Sequence, residues 1–183
     1  MNAQARRFGA ALCAAALLAA PAGGAETSPP SEWEVKAAYL YNFTRFVEWP
    51  DQAAAPPDAP FVVGILGPDP FGRVLDDTLS GKTFNGRPIV VRRLERPESA
   101  ASVQILFLAA PLDRDGARAL RAAQGKPVLT VSNEEGAATH GVVLAFRLRD
   151  NRVRFDVNLA LAEEGGLKIS SHLLKLALNV EKR

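Results

Sequence analysis

Residues 33–49, WEVKAAYLYNFTRFVEW, contain both tryptophans and both tyrosines of the chain. On a helical wheel their apolar side chains cover an arc of roughly 200°, about twice the width that a surface helix needs. The members of this arc are Trp33, Val35, Tyr39, Leu40, Phe43, Phe46, Val47 and Trp49. The pattern predicts a helix over Trp33–Trp49 that packs against a sheet, with hydroxyl and indole groups reaching polar partners at its rim. A second interpretation is that the apolar side chains at the sides of this arc contact another protein.

Signals at both ends delimit this aromatic helix. Ser31 and Glu34 have the spacing of a capping box, in which each side chain bonds the backbone N–H of the other residue. Pro50 cannot continue a helix and is expected to end this one. Residues 51–60 are rich in alanine and proline, which predicts a loop.

Beyond the loop, apolar runs alternate with segments of helical pattern. Phe61–Leu66 is a continuous apolar run, as expected of a strand that is covered on both faces. Further strands are predicted at Ile89–Leu94, Ile105–Leu108, Val128–Val131, Val142–Phe146 and Val153–Val157. Helices are predicted at Pro70–Leu79, Glu98–Ser102, Asp113–Ala123, Leu159–Glu164 and Ser171–Val180. This alternation predicts an α/β fold, a single layered domain whose central sheet is mostly parallel with an antiparallel end and is flanked by helices.

The first 25 residues have the composition of a secretory signal peptide. Arg6 and Arg7 form a basic start, an apolar stretch follows, and Gly23-Gly24-Ala25 supplies small residues at a cleavage site. We therefore expect an exported product with a signal peptide at 1–25 that is cleaved near Ala25. The rest of the chain is expected to divide into a flexible lead-in at 26–31 and a single domain at 32–183.

Composition argues against several classes of function. The chain of 183 residues carries 22 Lys+Arg and 20 Asp+Glu, and the only charges in residues 1–25 are Arg6 and Arg7, so the remainder is formally neutral. A neutral domain lacks the basic excess typical of nucleic-acid binding. Cys13 is the only cysteine, so the exported domain has no disulfide and no thiolate metal site. No later apolar run reaches the roughly 18 residues of a membrane helix, so we do not expect the product to span a membrane.

The sequence shows no signature of catalysis or cofactor binding. His140 and His172 are the only histidines, too few for a multi-histidine metal centre without carboxylate help. His140 lies beside Gly141 in a turn, where we expect a solvated or capping role. His172 lies near a helix start, where we expect a surface residue near the cap, with contact to a ligand or partner as the alternative. The sequence contains no Walker motif, dinucleotide fingerprint or nucleophile elbow. We therefore predict no catalytic, cofactor-binding or metal-binding residue and no enzyme activity.

The chain contains a series of sequence blocks in a characteristic order. The first is VKAAYLYNFTRFVEWP at 35–50. The others are GILGPDPFG at 64–72, NGRPI at 85–89, VLTVS at 128–132, RFDVNL at 154–159 and GLKISSHLLKLA at 166–177. Together these blocks resemble the YfiR-like family of exported bacterial proteins. The resemblance is more specific than any single motif, because the blocks span nearly all of the chain after the signal peptide.

The resemblance implies a periplasmic α/β domain that works by binding proteins. It implies repression of a membrane-anchored diguanylate cyclase through that enzyme's periplasmic region, which lowers cyclic-di-GMP signalling and biofilm formation. An outer-membrane lipoprotein that sequesters the repressor is a further implied partner. Relatives often carry cysteines that form disulfides, for example just before the strand where this chain has Ser102-Val103-Gln104-Ile105. Redox control through such a bond is therefore not available to this chain.

Within this interpretation, the partner contacts the exposed part of the aromatic helix and the last helix. We expect Tyr41, Phe43, Trp49 and His172 to contribute contact surface, because aromatic residues dominate interface hot spots. The same apolar excess would also suit a homodimer. The alternative function is that of a periplasmic ligand-sensing subunit for a membrane histidine kinase or an outer-membrane uptake system. An apolar pocket under the aromatic helix would favour this alternative.

Overall fold

The computed structural model describes residues 29–50, 56, 59–109, 113–134 and 136–182. The expected signal peptide, half of the expected lead-in and most of the loop at 51–60 lie outside these ranges. Within the ranges, no helix combines the length and the apolar content needed to cross a membrane.

An eight-stranded sheet layered by helices confirms the predicted α/β class. Its strands are β2 (Phe61–Leu66), β3 (Thr83–Phe84), β4 (Arg87–Leu94), β5 (Ile105–Leu108), β6 (Leu129–Ser132), β7 (Leu144–Arg149), β8 (Arg152–Asn158) and β10 (Val180–Glu181). Two further strands, β1 (Val47–Glu48) and β9 (Lys168–Ile169), pair with each other in a separate two-stranded sheet. The α-helices are α1 (Glu32–Phe46), α2 (Arg73–Leu79), α3 (Arg114–Ala123), α4 (Leu159–Glu164) and α5 (Ser171–Leu176). Short 3₁₀ helices are formed by Pro97–Ser102 and Ala137–His140.

In the central sheet the strands follow the order β10-β8-β7-β6-β5-β2-β4-β3. The strands from β7 to β4 in this order are parallel to one another, whereas the β7–β8 and β3–β4 pairs are antiparallel. β2 and β5 lie in the middle and are buried along their whole length, which accounts for their continuous apolar sequence. The β7–β8 hairpin turns at Asp150 and Asn151, whose φ angles of 50° and 56° fit a two-residue turn.

The aromatic helix α1 covers one face of the sheet. Its capping box is formed, since Ser31 and Glu34 each bond the backbone of the other. Phe43 is fully buried, and its ring stacks on Phe146 of β7 at 5.9 Å and meets Phe155 of β8 edge-on at 5.7 Å. These contacts confirm the interpretation of α1 as a helix that packs against a sheet, and burial of one such ring contributes roughly 1.5–3 kcal/mol.

The opposite face of the sheet is covered by smaller side chains. Ala119 and Ala123 of α3 and Ala100 of the first 3₁₀ helix are buried over it. Gly64 of β2 allows the Val103 side chain to pack close to the sheet backbone on this face, because a Cβ at position 64 would lie only 2.9 Å from that side chain. The second layer therefore lies closer to the sheet than a layer of large side chains would.

The structure differs from the predicted secondary structure mainly at the ends of elements. α1 ends at Phe46 instead of Trp49, because the next two residues form β1 and pair with β9. α5 ends at Leu176 instead of Val180, because the following residues run along β8 and form β10. Strands β1, β3, β9 and β10 were not predicted, since two residues are too few to show a periodic pattern.

Candidate partner-binding surface

Backbone pairing joins the end of α1 to the start of α5. β1 pairs with β9, and the Ser170 N–H donates to the Phe46 carbonyl at 2.9 Å. The Ser170 hydroxyl then caps α5 by accepting from the Leu173 N–H at 3.2 Å. These bonds bring the rings of Phe46 and His172 together, stacked with their centroids 5.2 Å apart. His172 is exposed and Phe46 is half-buried, so the stacked pair lies at the surface.

Tyr41 lies on a different side of α1. Its half-buried ring has the Lys82 ammonium 5.5 Å from the centroid, which is within the range of a cation–π interaction. Tyr41 and Phe46 are separated by about 140° around the helix axis at 3.6 residues per turn. Tyr41 and His172 are therefore both accessible, but they face different directions.

The other two expected contact residues lie in the core. Phe43 is fully buried and Trp49 is only 7% exposed. The Trp49 ring packs edge-on against Phe61 and Phe84, and its indole N–H donates to the Gln104 carbonyl at 3.3 Å. The expectation that Phe43 and Trp49 lie on an exposed part of the helix is therefore wrong. Both rings are packed inside the fold.

A buried lysine accompanies the aromatic rings near the start of α1. Lys36 is 3% exposed, its ammonium pairs with the Glu32 carboxylate one turn earlier, and it lies 4.2 Å from the centroid of the Trp33 ring. Both contacts offset the cost of removing the ammonium from water. Sequence reasoning did not single out Lys36, because lysine is almost always a solvent-facing residue.

The space beneath α1 is filled by aromatic rings. Tyr39, Phe43, Phe146 and Phe155 contact one another there, with centroid separations of 5.6–6.0 Å. In the described part of the chain, these rings occupy the position where an apolar pocket would have favoured ligand sensing. A cleft of about 500 Å³ runs beside the helix instead, between α1 and the β7–β8 hairpin.

A second cavity, of about 370 Å³, lies on the opposite face of the sheet between α3, α4 and the second 3₁₀ helix. Its apolar lining includes Leu120, Val128, Val143 and Leu161. Polar side chains line it as well, among them Arg121, Lys126, His140 and Glu164. The mixed lining suits a small molecule with an apolar part and a charged group.

The β7–β8 hairpin places arginines directly opposite one another. Arg147 lies across from Arg154, and Arg149 lies across from Arg152. Like charges in this position destabilise a hairpin. Arg147 donates from Nε to the buried carboxylate of Asp156, which neutralises one member of the row. Sequence reasoning found the hairpin and missed this row, although the arginines alternate on both sides of the turn.

A cluster of ion pairs ties β4 to α2. Arg93 donates to the carboxylates of Asp69 at 2.7 Å and Asp76 at 2.6 Å, and to the Gly72 carbonyl at 2.9 Å. The hydrogen bond from Arg93 holds the pKa of Asp76 below its usual range, and the same bond raises the pKa of Arg93. These charges satisfy one another, so we assign the cluster a structural role. In the ranges that the structure describes, no group of three His, Cys, Asp or Glu side chains is placed to hold a metal ion.

Comparison with known proteins yields a family and a fold. Residues 33–178 match the family described as YfiR/HmsC-like. A solved structure, that of a conserved domain protein from Vibrio cholerae O1 biovar El Tor, is similar with a TM-score of 0.53 and 10% sequence identity. The similarity covers 82% of this chain and 60% of that one. At this level of identity, the structural match shows a shared fold alone.

Proposed function

Because the chain belongs to the YfiR/HmsC-like family, we propose that it is a periplasmic regulatory protein that represses a membrane-anchored diguanylate cyclase. It would bind the periplasmic region of that enzyme and so lower cyclic-di-GMP signalling and biofilm formation. The observation that carries this proposal is the extent of the family match, which runs from the first turn of α1 to the residues just before β10.

A protein that represses by binding alone must act through a shift of populations. Binding favours the inactive arrangement of the cyclase, and the effect is no larger than the difference in affinity for the two arrangements. A tenfold difference in affinity corresponds to about 1.4 kcal/mol. This mechanism requires a contact surface and does not require a catalytic side chain.

The test in cells is deletion of the gene. Loss of a repressor should raise cyclic-di-GMP and increase biofilm formation, and the wild-type gene supplied in trans should reverse both changes. An unchanged cyclic-di-GMP level in the deletion strain would refute the repressor role.

The accessible members of the expected contact set are Tyr41 and His172, the latter together with Phe46. We expect Tyr41→Ala and His172→Ala to weaken capture of the cyclase's periplasmic region by about 1–2 kcal/mol each, as interface aromatics do. His140→Ala, at the cavity on the other face of the sheet, is the matched control. Circular dichroism confirms that each variant is folded. Capture at wild-type strength by both variants would remove these residues from the contact set.

The proposal includes export to the periplasm with removal of residues 1–25. Mass spectrometry of the periplasmic fraction should then find a chain that begins at or near Glu26. Recovery of the chain only in the cytoplasm, with residues 1–25 retained, would contradict this part of the proposal.

Two other protein partners belong to the same proposal. One is an outer-membrane lipoprotein that binds the repressor and competes with the cyclase, and the other is a second copy of this chain. A pulldown with both membrane proteins present tests the competition, and light scattering on the purified chain tests the dimer. Simultaneous binding of cyclase and lipoprotein would argue against sequestration.

A second candidate function is ligand sensing for a membrane histidine kinase or an outer-membrane uptake system. The cavity of about 370 Å³ between α3 and α4 favours it, because this volume falls within the range of small-molecule pockets. A thermal-shift screen of amino acids and nucleotides tests it, since a ligand at 100 times its Kd adds about 2.7 kcal/mol of stability. Arg121→Ala should abolish such a shift. A screen without any stabilising ligand would count against this function.

A further inference from the structure

The outer edge of β8 is covered over only part of its length. β10 pairs with β8 at Val157 and Asn158, and the Leu178 N–H donates to the Phe155 carbonyl at 2.8 Å. Backbone groups alternate in direction along a strand, so the N–H and C=O of Val153 point to the same outer side as those of Phe155. No backbone bond from the described residues reaches Val153 on that side. The first half of β8 is therefore an unpaired edge that can accept another strand.

One face of this edge is bordered by a cleft with both apolar and polar lining residues. This is the cleft of about 500 Å³ between α1 and the hairpin. Its apolar lining is Pro30, Val35, Tyr39, Leu148 and Val153, and its polar lining is Glu32, Asn151, Arg152 and Arg154. Leu148 lies across from Val153 in the hairpin and is 57% exposed, the largest exposure among the large apolar side chains of the described residues. The half-buried side chains of Val35 and Tyr39 line the same cleft, so Leu148 has apolar neighbours there.

The other face of the same edge is basic. Arg152 and Arg154 alternate with Val153 along β8, so their Cβ atoms point to the opposite face of the strand, although both residues also line the cleft beside α1. A cleft of about 280 Å³ there is lined by Arg149, Asp150, Arg152, Arg154 and Leu178. Asp150 is the only carboxylate in that lining. Bound carboxylates would relieve the repulsion between the opposed arginines, and a guanidinium group can hold a carboxylate with two parallel hydrogen bonds.

We propose that the first half of β8 binds an extended segment of a protein partner in which aliphatic and acidic residues alternate. The segment adds a strand to the sheet edge at Val153, which continues the line that β10 begins. Successive side chains of a strand point to opposite faces. Its aliphatic side chains would therefore enter the cleft beside α1, and its acidic side chains would meet Arg152 and Arg154. This inference goes beyond the proposed function, since it does not depend on which protein supplies the segment.

The probe is a short synthetic peptide in which valine and glutamate alternate. Its control has the same composition, with the valines and the glutamates in separate blocks. Fluorescence anisotropy with the exported chain should show that the alternating peptide binds at least about tenfold more tightly, because only its pattern matches both faces. Amide exchange at Val153 should slow when the alternating peptide is bound.

Charge reversal tests the basic face. Arg152→Glu combined with Arg154→Glu should weaken peptide binding at least about tenfold and should not impair folding, because each new carboxylate lies across from an arginine. The matched control is Arg92→Glu combined with Arg96→Glu, an equal change of charge at exposed positions near β4. This control variant should bind the peptide as the wild type does.

Several results would overturn the proposal. Equal binding of the block peptide would exclude strand addition, and so would unchanged exchange at Val153. If both charge-reversal variants lost peptide affinity equally, the loss would be due to net charge and not to Arg152 and Arg154. Binding to phosphatidylglycerol vesicles with none to the peptide would assign the basic face to a membrane. Each of these results leaves the repressor proposal intact, because capture of the cyclase region is measured separately.

Discussion

Replacing Phe43 with alanine should destabilise the domain by about 4 kcal/mol, within the range of about 3–5 kcal/mol for buried phenylalanines. The ring is fully buried, so its removal leaves a cavity. It also contacts three other rings, those of Tyr39, Phe146 and Phe155, at 5.7–6.0 Å between centroids. Aromatic pairs of this kind contribute about 0.5–1.5 kcal/mol each beyond area burial, so the cost should not fall at the low end of the range.

The assay is equilibrium unfolding in urea, followed by tryptophan fluorescence. In a thermal unfolding experiment, the same loss of 4 kcal/mol corresponds to a fall in Tm of about 8–16 °C for a domain of this size. Tyr41→Ala, two positions away on the same helix, is the matched control and should cost only about 1 kcal/mol because its ring is half-buried. Phe43→Leu retains most of the volume and should fall between the two variants.

The reasoning is refuted if Phe43→Ala and Tyr41→Ala destabilise the domain equally, because Phe43 would then not be a core residue. A second readout concerns binding. At a temperature well below its Tm, Phe43→Ala should capture the periplasmic region of the proposed cyclase partner as well as the wild type does, per folded molecule. A specific loss of capture would restore Phe43 to the contact set.

Three further predictions follow from local contacts. Ser31→Ala should lower the free energy of unfolding by about 1 kcal/mol in thermal denaturation, since it removes the capping box. Gly165→Ala should cost about 1–3 kcal/mol in urea unfolding, because its Cβ would lie 2.6 Å from the Lys126 carbonyl oxygen. The pKa of Asp76 is lowered in the folded state, so its ion pair with Arg93 stabilises the fold at any pH above the ordinary carboxyl pKa of 3.8. This stabilisation is lost as the pH falls through the lower pKa of the folded state. Because the Asp76 side chain is 44% exposed, Asp76→Asn should cost less than about 1 kcal/mol at pH 7, and the difference from wild type should shrink below pH 4.

Local patterns were sufficient for the elements that build the sheet. β2, β5 and α4 begin and end at the predicted residues, because each shows its own apolar run or cap within a few positions. The capping box at Ser31 was readable for the same reason. β1 and β9 have no such signal, since each consists of two residues and exists only because the other pairs with it.

The candidate site was less predictable than the fold. A helical wheel groups Phe43 and Phe46 in one apolar arc, but it does not show which ring the hairpin covers. Phe43 meets the rings of β7 and β8, whereas Phe46 stacks on His172 at the surface. The expected accessibility of His172 is matched by its exposure, but its ring partner depends on the turn from β9 into α5.

The sequence alone determined the α/β class, the order of the main elements and the family, because these depend on periodicity, caps and blocks that lie within short segments. The tertiary structure decided which aromatic rings are buried, since burial depends on what packs against the helix. It also decided that Arg147 faces Arg154 and Arg149 faces Arg152, because cross-strand neighbours are set by hairpin register. The open edge at Val153 is likewise a tertiary property, since it depends on where β10 stops pairing with β8.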